Sequence, residues 1–457
     1  MMQFTHTAPP PPPLHPNGHG GLGLGLFLDV GAPRARPWPG SFPTPASKIS
    51  LGNLNSTSCM EQLLVHCANA IEANDATLTQ QILWVLNNIA PPDGDSNQRL
   101  TAAFLCALVA RASRTGACKA VTAAVAAAVE SAALHVHRFT AVELASFVDL
   151  TPWHRFGYTA ANAAILEAVE GFPVVHVVEL GTTHCMQIPT LIDMLASRAE
   201  GPPILRLTVA DVASTTSAPP PALDMSYDEL GAKLVNFARS RNMSMDFRVV
   251  PTSPGDAFTS LIDQLRVQQL VSDGTEALVV NCHMLLHAVP DETAGSVMSL
   301  AQPVSLRTML LKSLRTLDPN LVVVVEEDAD FTADDVVGRL RAAFNFLWIP
   351  YDAVDTFLPK GSEQRRWYEA EIGWKVENVL AQEGVERVER QEDRARWGQR
   401  MRSAGFRAVA FGEEAAGEVK AMLNEHAAGW GMKREDDDLV LTWKGHNVVF
   451  ASAWAPS

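Results

Sequence analysis

Apolar positions along the chain change their period near residue 173. Ahead of that point they recur every three to four residues. In MEQLLVHCANAIEAND, Met60, Leu63, Leu64, Cys67, Ala68 and Ile71 fall on one helical face, with Ser58 and Glu61 at capping-box spacing. A second helical pattern (Leu78, Ile82, Val85, Leu86, Ile89) ends at the turn APPDGDS, and a third covers QRLTAAFLCALVARASR. The Ala-rich stretch from Ala117 to Leu134 reads either as a helix or as a flexible insertion. TAVELASFVDLTPWHRFGYTAANAAILEAVEGF supplies two more helices, so residues 58–172 are predicted to be all-helical.

From residue 174 short apolar runs alternate with helical patterns. VVHVVEL (174–180), ILRLTVA (204–210), MDFRVV (245–250), EALVVNC (276–282) and LVVVVEE (321–327) read as strands. Helical segments such as IPTLIDMLASRA, SYDELGAKLVNFARSR and VSLRTMLLKSLRTL lie between them. Near-continuous Val/Leu/Ile runs separated by helices indicate parallel strands buried on both faces, hence a doubly wound α/β sheet. The end departs from this alternation: FRAVAF (406–411), DLVLTW (438–443) and NVVFASAW (447–454) are predicted strands, the last two joined by a hairpin at KGHN. A parallel sheet with an antiparallel edge is the arrangement of the methyltransferase-like branch of the Rossmann class.

Composition adds limits. At 457 residues and 47% hydrophobic content the chain can bury a large core. Residues 1–57 are rich in Pro and Gly, with Gly-Leu repeats, and cannot bury enough surface to offset their ordering entropy. They read as a disordered tail, either a plain spacer or a polyproline segment that a partner binds. The six cysteines form no CxxC pair, and neither a signal peptide nor a membrane span is present in the pattern, so a soluble intracellular protein is expected. The formal net charge of −15 opposes duplex binding unless basic residues gather on one face.

The candidate chemistry starts at VVHVVELGTTHC. A dinucleotide or S-adenosylmethionine site needs small residues after the first strand, because backbone must approach the ligand closely. Gly181 is present, but Thr182, Thr183 and His184 follow it; Glu179 and Asp211 are placed where acids hold a ribose. These residues favour a tight strand-to-helix turn over a cofactor site. In HMLLH, His283 and His287 stand at i, i+4 without the Glu that a zinc peptidase requires, and Cys282 and Cys185 beside His283 and His184 read as core. Glu326, Glu327, Asp328 and Asp330 end the fifth strand run as a solvated rim or, less in keeping with their neighbours, a metal cluster. No catalytic constellation and no metal site is expected.

Residues 360–402 interleave ten Lys or Arg with nine Asp or Glu, the pattern of an ion-paired helical face. Arg394, Arg396, Arg400 and Arg402 follow the last acid of that run, leaving a locally positive end beside Trp397 as the candidate for phosphate contact. Arg307, Lys312 and Arg315 form a shorter basic face, expected on a helix exterior.

Five regions, in order, carry a resemblance. VVHVVELGTTHCMQIPTLIDMLASRAEGPPILRLTVAD resembles the VHIID region of the plant GRAS family, with His176, Glu179 and Gly181 at its motif positions. The helices from residue 60 to about 140 resemble that family's first leucine-rich region, and LVNFARSRNMSMDFRVV through LRTMLLKSLRTLDP its second. WIPYDAVDTFLPKGSEQRRWYEAEIGWKVENVLAQEGVERVERQEDRARWGQRMRSAGF is similar to the PFYRE region, with Arg387, Glu389 and Arg390 in RVERQE. LTWKGHNVVFASAW is similar to the SAW region, with Trp430, Trp443 and Trp454 matching. The family's usual Asp is here Glu179, a glycine that many members carry after Gly181 is missing, and the PFYRE letters are poorly kept.

The resemblance implies a helical cap (58–172) over a methyltransferase-like core (173–457), and no cofactor. It implies a nuclear plant transcription regulator that forms homodimers or heterodimers, partners other transcription factors and, in some members, touches DNA, with no membrane role. Apolar helical surface at 60–90 serves either a dimer or the core. The alternatives are an S-adenosylmethionine-dependent methyltransferase, which rests on Glu179, Gly181 and Asp211, and a pure interaction scaffold. No basic run is long enough for a nuclear import signal.

Overall fold

A computed structural model describes residues 57–115, 137–212, 220–270, 275–295 and 305–457. The Pro-rich tail and the Ala-rich stretch from Ala117 lie outside the described residues. The first helices are α1 (Thr57–Glu72), α2 (Ala76–Ile89) and α3 (Ser96–Thr115), followed by α4 (Ala141–Val148) and α5 (Pro152–Ala168). Their starts follow capping chemistry. Asp95 and Gln98 bond reciprocally ahead of α3, Thr140 and Glu143 form a capping box on α4, and the Thr151 hydroxyl accepts from the Trp153 N–H with Pro152 at the first helical position of α5. Ser58 is not a cap, because α1 already runs from Thr57. The first third also holds a two-residue strand, Arg138–Phe139, paired in parallel with Ala222–Leu223.

Nine strands form the main sheet: β1 (Val174–Gly181), β2 (Ile204–Asp211), β3 (Met245–Pro251), β4 (Glu276–His283), β5 (Leu321–Glu327), β6 (Phe406–Val409), β7 (Trp430–Glu435), β8 (Asp438–Trp443) and β9 (His446–Pro456). Their order is β3-β2-β1-β4-β5-β9-β8-β7, with β6 also on β9. The first five are mutually parallel and the rest antiparallel, as the periodicity predicts. The edge strand β7, WGMKRE, is not visible in the sequence pattern; it pairs with β8 alone, while Trp430 packs on Trp153 and Trp443 and Arg434 binds Glu413. Lys444 (φ 48°) and Gly445 (φ 87°) make the two-residue turn between β8 and β9.

Alternating residues of each strand enter two cores, Val323 and Val325 on one face and Val322 and Val324 on the other. The second core is closed by α8 (Thr259–Gln269), α9 (Leu306–Thr316) and α12 (Arg394–Ser403). The first is closed by α5, α6 (Ile188–Ala196), α7 (Tyr227–Ser240) and α13 (Glu413–Leu423), with the cap beyond. Two helices from the second half, α10 (Val336–Asp355) and α11 (Glu363–Ala381), complete the cap by packing on α1 and α3. Buried arginines tie these layers: Arg99 pairs with Asp355 and Glu369 at 2.8 and 2.9 Å, and Arg111 with Glu72 and Glu383 at 2.8 Å each. Among the described residues no helix is long and apolar enough to cross a membrane.

Candidate functional site

Register decides the chemistry at the end of β1. Glu179 stands opposite Asn281 of β4, whose Nδ2 donates to Glu179 Oε2 at 2.7 Å and to Gln187 Oε1 at 3.0 Å. Gln187 in turn donates to Asn162 Oδ1 at 2.8 Å. Burial raises the Glu179 carboxyl to about 7 against the opposing hydrogen bond from Asn281. A Cβ on Gly181 would lie 2.5 Å from Glu179 Oε1, so the carboxylate occupies the space over the glycine. Beyond it, His184 (φ 49°) and Cys185 (φ 62°) keep the left-handed backbone that a glycine loop adopts freely. Side chains fill that loop: the Tyr158 hydroxyl bonds Thr183, and His184 Nε2–H donates to the Pro221 carbonyl at 2.9 Å. Asp211 ends β2 and interacts with the His184 ring electrostatically. Glu179, Gly181 and Asp211 are therefore brought together, but the residues present do not fit a dinucleotide or S-adenosylmethionine.

The end of β5 is built otherwise. Glu326 and Glu327, expected on a solvated rim, are buried at 0% and 3% exposure. Glu326 accepts the backbone N–H of Leu286 and pairs with His287 Nδ1 at 2.7 Å. Burial alone would lower the His287 pKa; the carboxylates of Glu326 and Glu389 outweigh it and raise it to about 10. Glu327 takes the Trp153 indole N–H at 3.1 Å and the Lys375 ammonium at 2.6 Å. The HMLLH histidines separate: His283 meets His154 at 3.2 Å, and Cys282, His283 and Cys185 are core, as expected.

RVERQE is the segment that locks this region. Arg387 donates to the Phe331 carbonyl, Arg390 pairs with Asp291 at 3.1 Å, and Glu389 lies 3.6 Å from His287 and 3.8 Å from Lys375. Lys375 and His287 hold the Glu389 carboxyl at about 2, although its burial pushes the other way. Arg307, expected on a helix exterior, is 1% exposed and pairs with the fully buried Glu392 at 3.1 Å. Asp291, Glu292 and Glu392 approach one another closely enough for a metal, but Arg390, Arg307 and Arg400 already occupy their oxygens.

The four candidate arginines lie on or at the start of α12, and three are engaged within the chain. Arg394 reaches Glu435, Asp436 and Asp438 at 3.0–3.2 Å, and Arg396 reaches Asp330 and Glu392 at 3.4 Å. Arg400 grips Glu392 at 2.6 Å and Glu292 at 2.8 Å. The positive end expected from the linear run is thus neutralised by Glu392 at its edge and by Glu292, Asp330, Glu435, Asp436 and Asp438 from elsewhere in the chain. Arg402 is exposed and stacked 5.6 Å over the Trp454 ring, and alone of the four pairs with no carboxylate among the described residues.

The remaining motif residues are structural in placement. His176 bonds Thr208 Oγ1 at 2.9 Å and lies 3.3 Å from Glu276. Trp443 is fully buried, donates to Asp352 at 2.8 Å, and crowds Gly429 (φ 117°), where a Cβ would come within 2.8 Å of the ring. Trp454 donates to Ser452 at 2.8 Å. Sequence reasoning missed Trp153, His154 and Lys375. Their only sequence signal is polar or amphipathic residues inside otherwise apolar helices.

Residues 60–455 match the GRAS domain family. The chain is 57% identical to Scarecrow-like protein 32 of Arabidopsis thaliana over 422 residues, covering 92% of this chain and 98% of that protein. It is 34% identical to Protein SHORT-ROOT 1 of Oryza sativa subsp. japonica over 427 residues, covering 86% and 68% respectively. The crystal structure of SCL7 from Oryza sativa shares the fold, with a TM-score of 0.66 at 22% identity over 86% of this chain and 99% of that one.

Proposed function

The chain belongs to the GRAS family, and from that membership we propose that it is a plant transcription regulator, nuclear, acting through self-association and other transcription factors. The observation that carries this reading is the match across residues 60–455, with near end-to-end likeness to a scarecrow-like protein. Two features support a regulator over a methyltransferase. Glu179 fills the space over Gly181, and Thr183 and His184 are tied down by Tyr158 and Pro221.

Recruitment by a partner fits the charge distribution better than unaided DNA binding. The net charge is −15, and Arg394, Arg396 and Arg400 would have to exchange carboxylates for phosphates. A second reading, direct contact through α12, has Arg402 in its favour, because that guanidinium is exposed and meets no carboxylate among the described residues. The full chain fused to a heterologous DNA-binding domain is expected to change reporter output in plant protoplasts; an unaltered reporter would sink the regulator reading. Selection of random duplexes on the purified full chain then separates the two routes. No enrichment is expected without a partner. An enriched sequence whose binding falls steeply with salt, and whose salt slope flattens on reversing Arg394, Arg396, Arg400 and Arg402, would replace recruitment by direct readout.

A further inference from the structure

Where the cap meets the ends of β1 and β5, a cavity of about 90 Å³ opens. Three carboxylates line it, Glu327, Glu371 and Glu389, together with one ammonium, Lys375. Glu327 and Glu389 are 3% and 2% exposed, and Lys375 is shared between them at 2.6 and 3.8 Å. Among the described residues, Oε2 of Glu327, Oε2 of Glu389 and Oε1 of Glu371 are enclosed and accept no hydrogen bond. Enclosed carboxylate oxygens without donors are costly, and native structures rarely tolerate several on one cavity. The missing partner is therefore a donor, and a cation: Lys375 and His287 together face four acidic side chains, Glu326, Glu327, Glu371 and Glu389, so acids outnumber cations around the cavity. Trp153, Tyr368 and Trp374 supply aromatic walls, which suit an alkyl chain and a soft cation rather than a bare metal ion.

We propose that this cavity binds a small aliphatic amine as its ammonium, hydrogen-bonded to Glu327, Glu371 and Glu389 with its carbon chain against Trp153, Tyr368 and Trp374. The bound molecule bridges the helical cap, through α5 and α11, to the sheet, so occupancy favours the closed packing of the two layers.

Burial holds the Glu371 carboxyl up at about 8 against the pull of Lys375, so an arriving cation displaces its proton. The other titratable groups on the cavity are His154, His287, Glu327, Tyr368, Lys375 and Glu389. His154, lowered to about 4 by burial, and Glu389, at about 2, titrate below this range, and His287, at about 10, above it. Affinity therefore tightens as pH rises from about 7 to 9.

The probe is n-butylamine, titrated into the full chain by calorimetry and tryptophan fluorescence, with n-butanol as its neutral counterpart. Saturable binding with a Kd of about 1 mM or below, at least tenfold tighter than the alcohol, is expected. Glu371→Gln removes a carboxyl group that makes no hydrogen bond or ion pair among the described residues, and is expected to weaken the amine tenfold and to flatten its pH dependence. Equal binding of amine and alcohol, no saturation by about 10 mM, or an unchanged affinity in Glu371→Gln would overturn the proposal, leaving a hydrated cavity. The wild-type comparison stands even if the variant fails to fold.

Discussion

Two carboxylates end parallel strands of one sheet, and the chain treats them in opposite ways. Glu179, at the end of β1, is satisfied by the neutral chain Asn281, Gln187 and Asn162, and has no cation beside it among the described residues. Glu327, at the end of β5, is bound to Lys375 and Trp153, keeps one oxygen without a donor, and adjoins a cavity. In the first place an amide network closes the position where a cofactor fold would be open. In the second, charge is concentrated and left incompletely satisfied. Two strand ends of one sheet thus treat a buried carboxylate in opposite ways, one closed by amides and one left beside a polar opening.

The comparison breaks most severely at Lys375. Lys375→Met leaves Glu327 buried without a counter-charge and Glu389 with His287 alone, and is expected to cost about 3–5 kcal/mol, read as a fall in the urea midpoint. If stability is unchanged, the charges at the end of β5 are not coupled as described.

At Glu179 the same question takes the form of pH. Its folded pKa, near 7, lies above the unfolded value, so the protonated form stabilises the fold below the unfolded pKa, and that stability is lost as pH rises through 7. Glu179→Gln removes this dependence. Relative to wild type it should gain stability between pH 5 and 8, on the order of 3 kcal/mol at most. Parallel unfolding curves at the two pH values would show that Glu179 is ionised and paired after all.

Gly181→Ala sharpens the picture of the filled cradle. The new methyl would meet Glu179 Oε1 at 2.5 Å, and about 1–3 kcal/mol of thermal stability should be lost. Combining it with Glu179→Ala should recover most of that loss beyond the cost of Glu179→Ala alone, through the coupling of neighbours. The smallest effect belongs to α12. Arg394→Ala removes partly exposed ion pairs and should shift stability by about 0–1 kcal/mol, whereas Arg400→Ala, which loses the buried Glu392, should cost more.

The elements of the fold were largely legible. Val/Leu/Ile runs located β1, β2, β4 and β5, because a strand buried on both faces has almost no other composition available, and MDFRVV located the half-exposed edge strand β3. The helical pattern of TAVELASFVDLTPWHRFGYTAANAAILEAVEGF located α4 and α5, whose caps, Thr140 and Thr151, the structure supplied, since the first N–H groups of a helix need acceptors. The edge strand β7 escaped because one partner and half exposure impose no pattern on WGMKRE. The locally positive reading of Arg394 to Arg402 failed for a different reason: Glu292, Asp330, Asp436 and Asp438 are distant in sequence or lie beyond the run, and only folding brings them to α12.

By itself, then, the sequence determined the alternation of helix and strand, the missing glycines after Gly181 and the family likeness of its five regions. All are properties of neighbours along the chain, where period, turn chemistry and residue size act directly. Only the tertiary structure decided which carboxylates are paired, which are buried without donors, and that α10 and α11 close a cavity over β5. Electrostatic partnership depends on distance in space, and the contacts between Lys375 and Glu327 or Arg307 and Glu392 join residues 48 and 85 positions apart that no local rule relates.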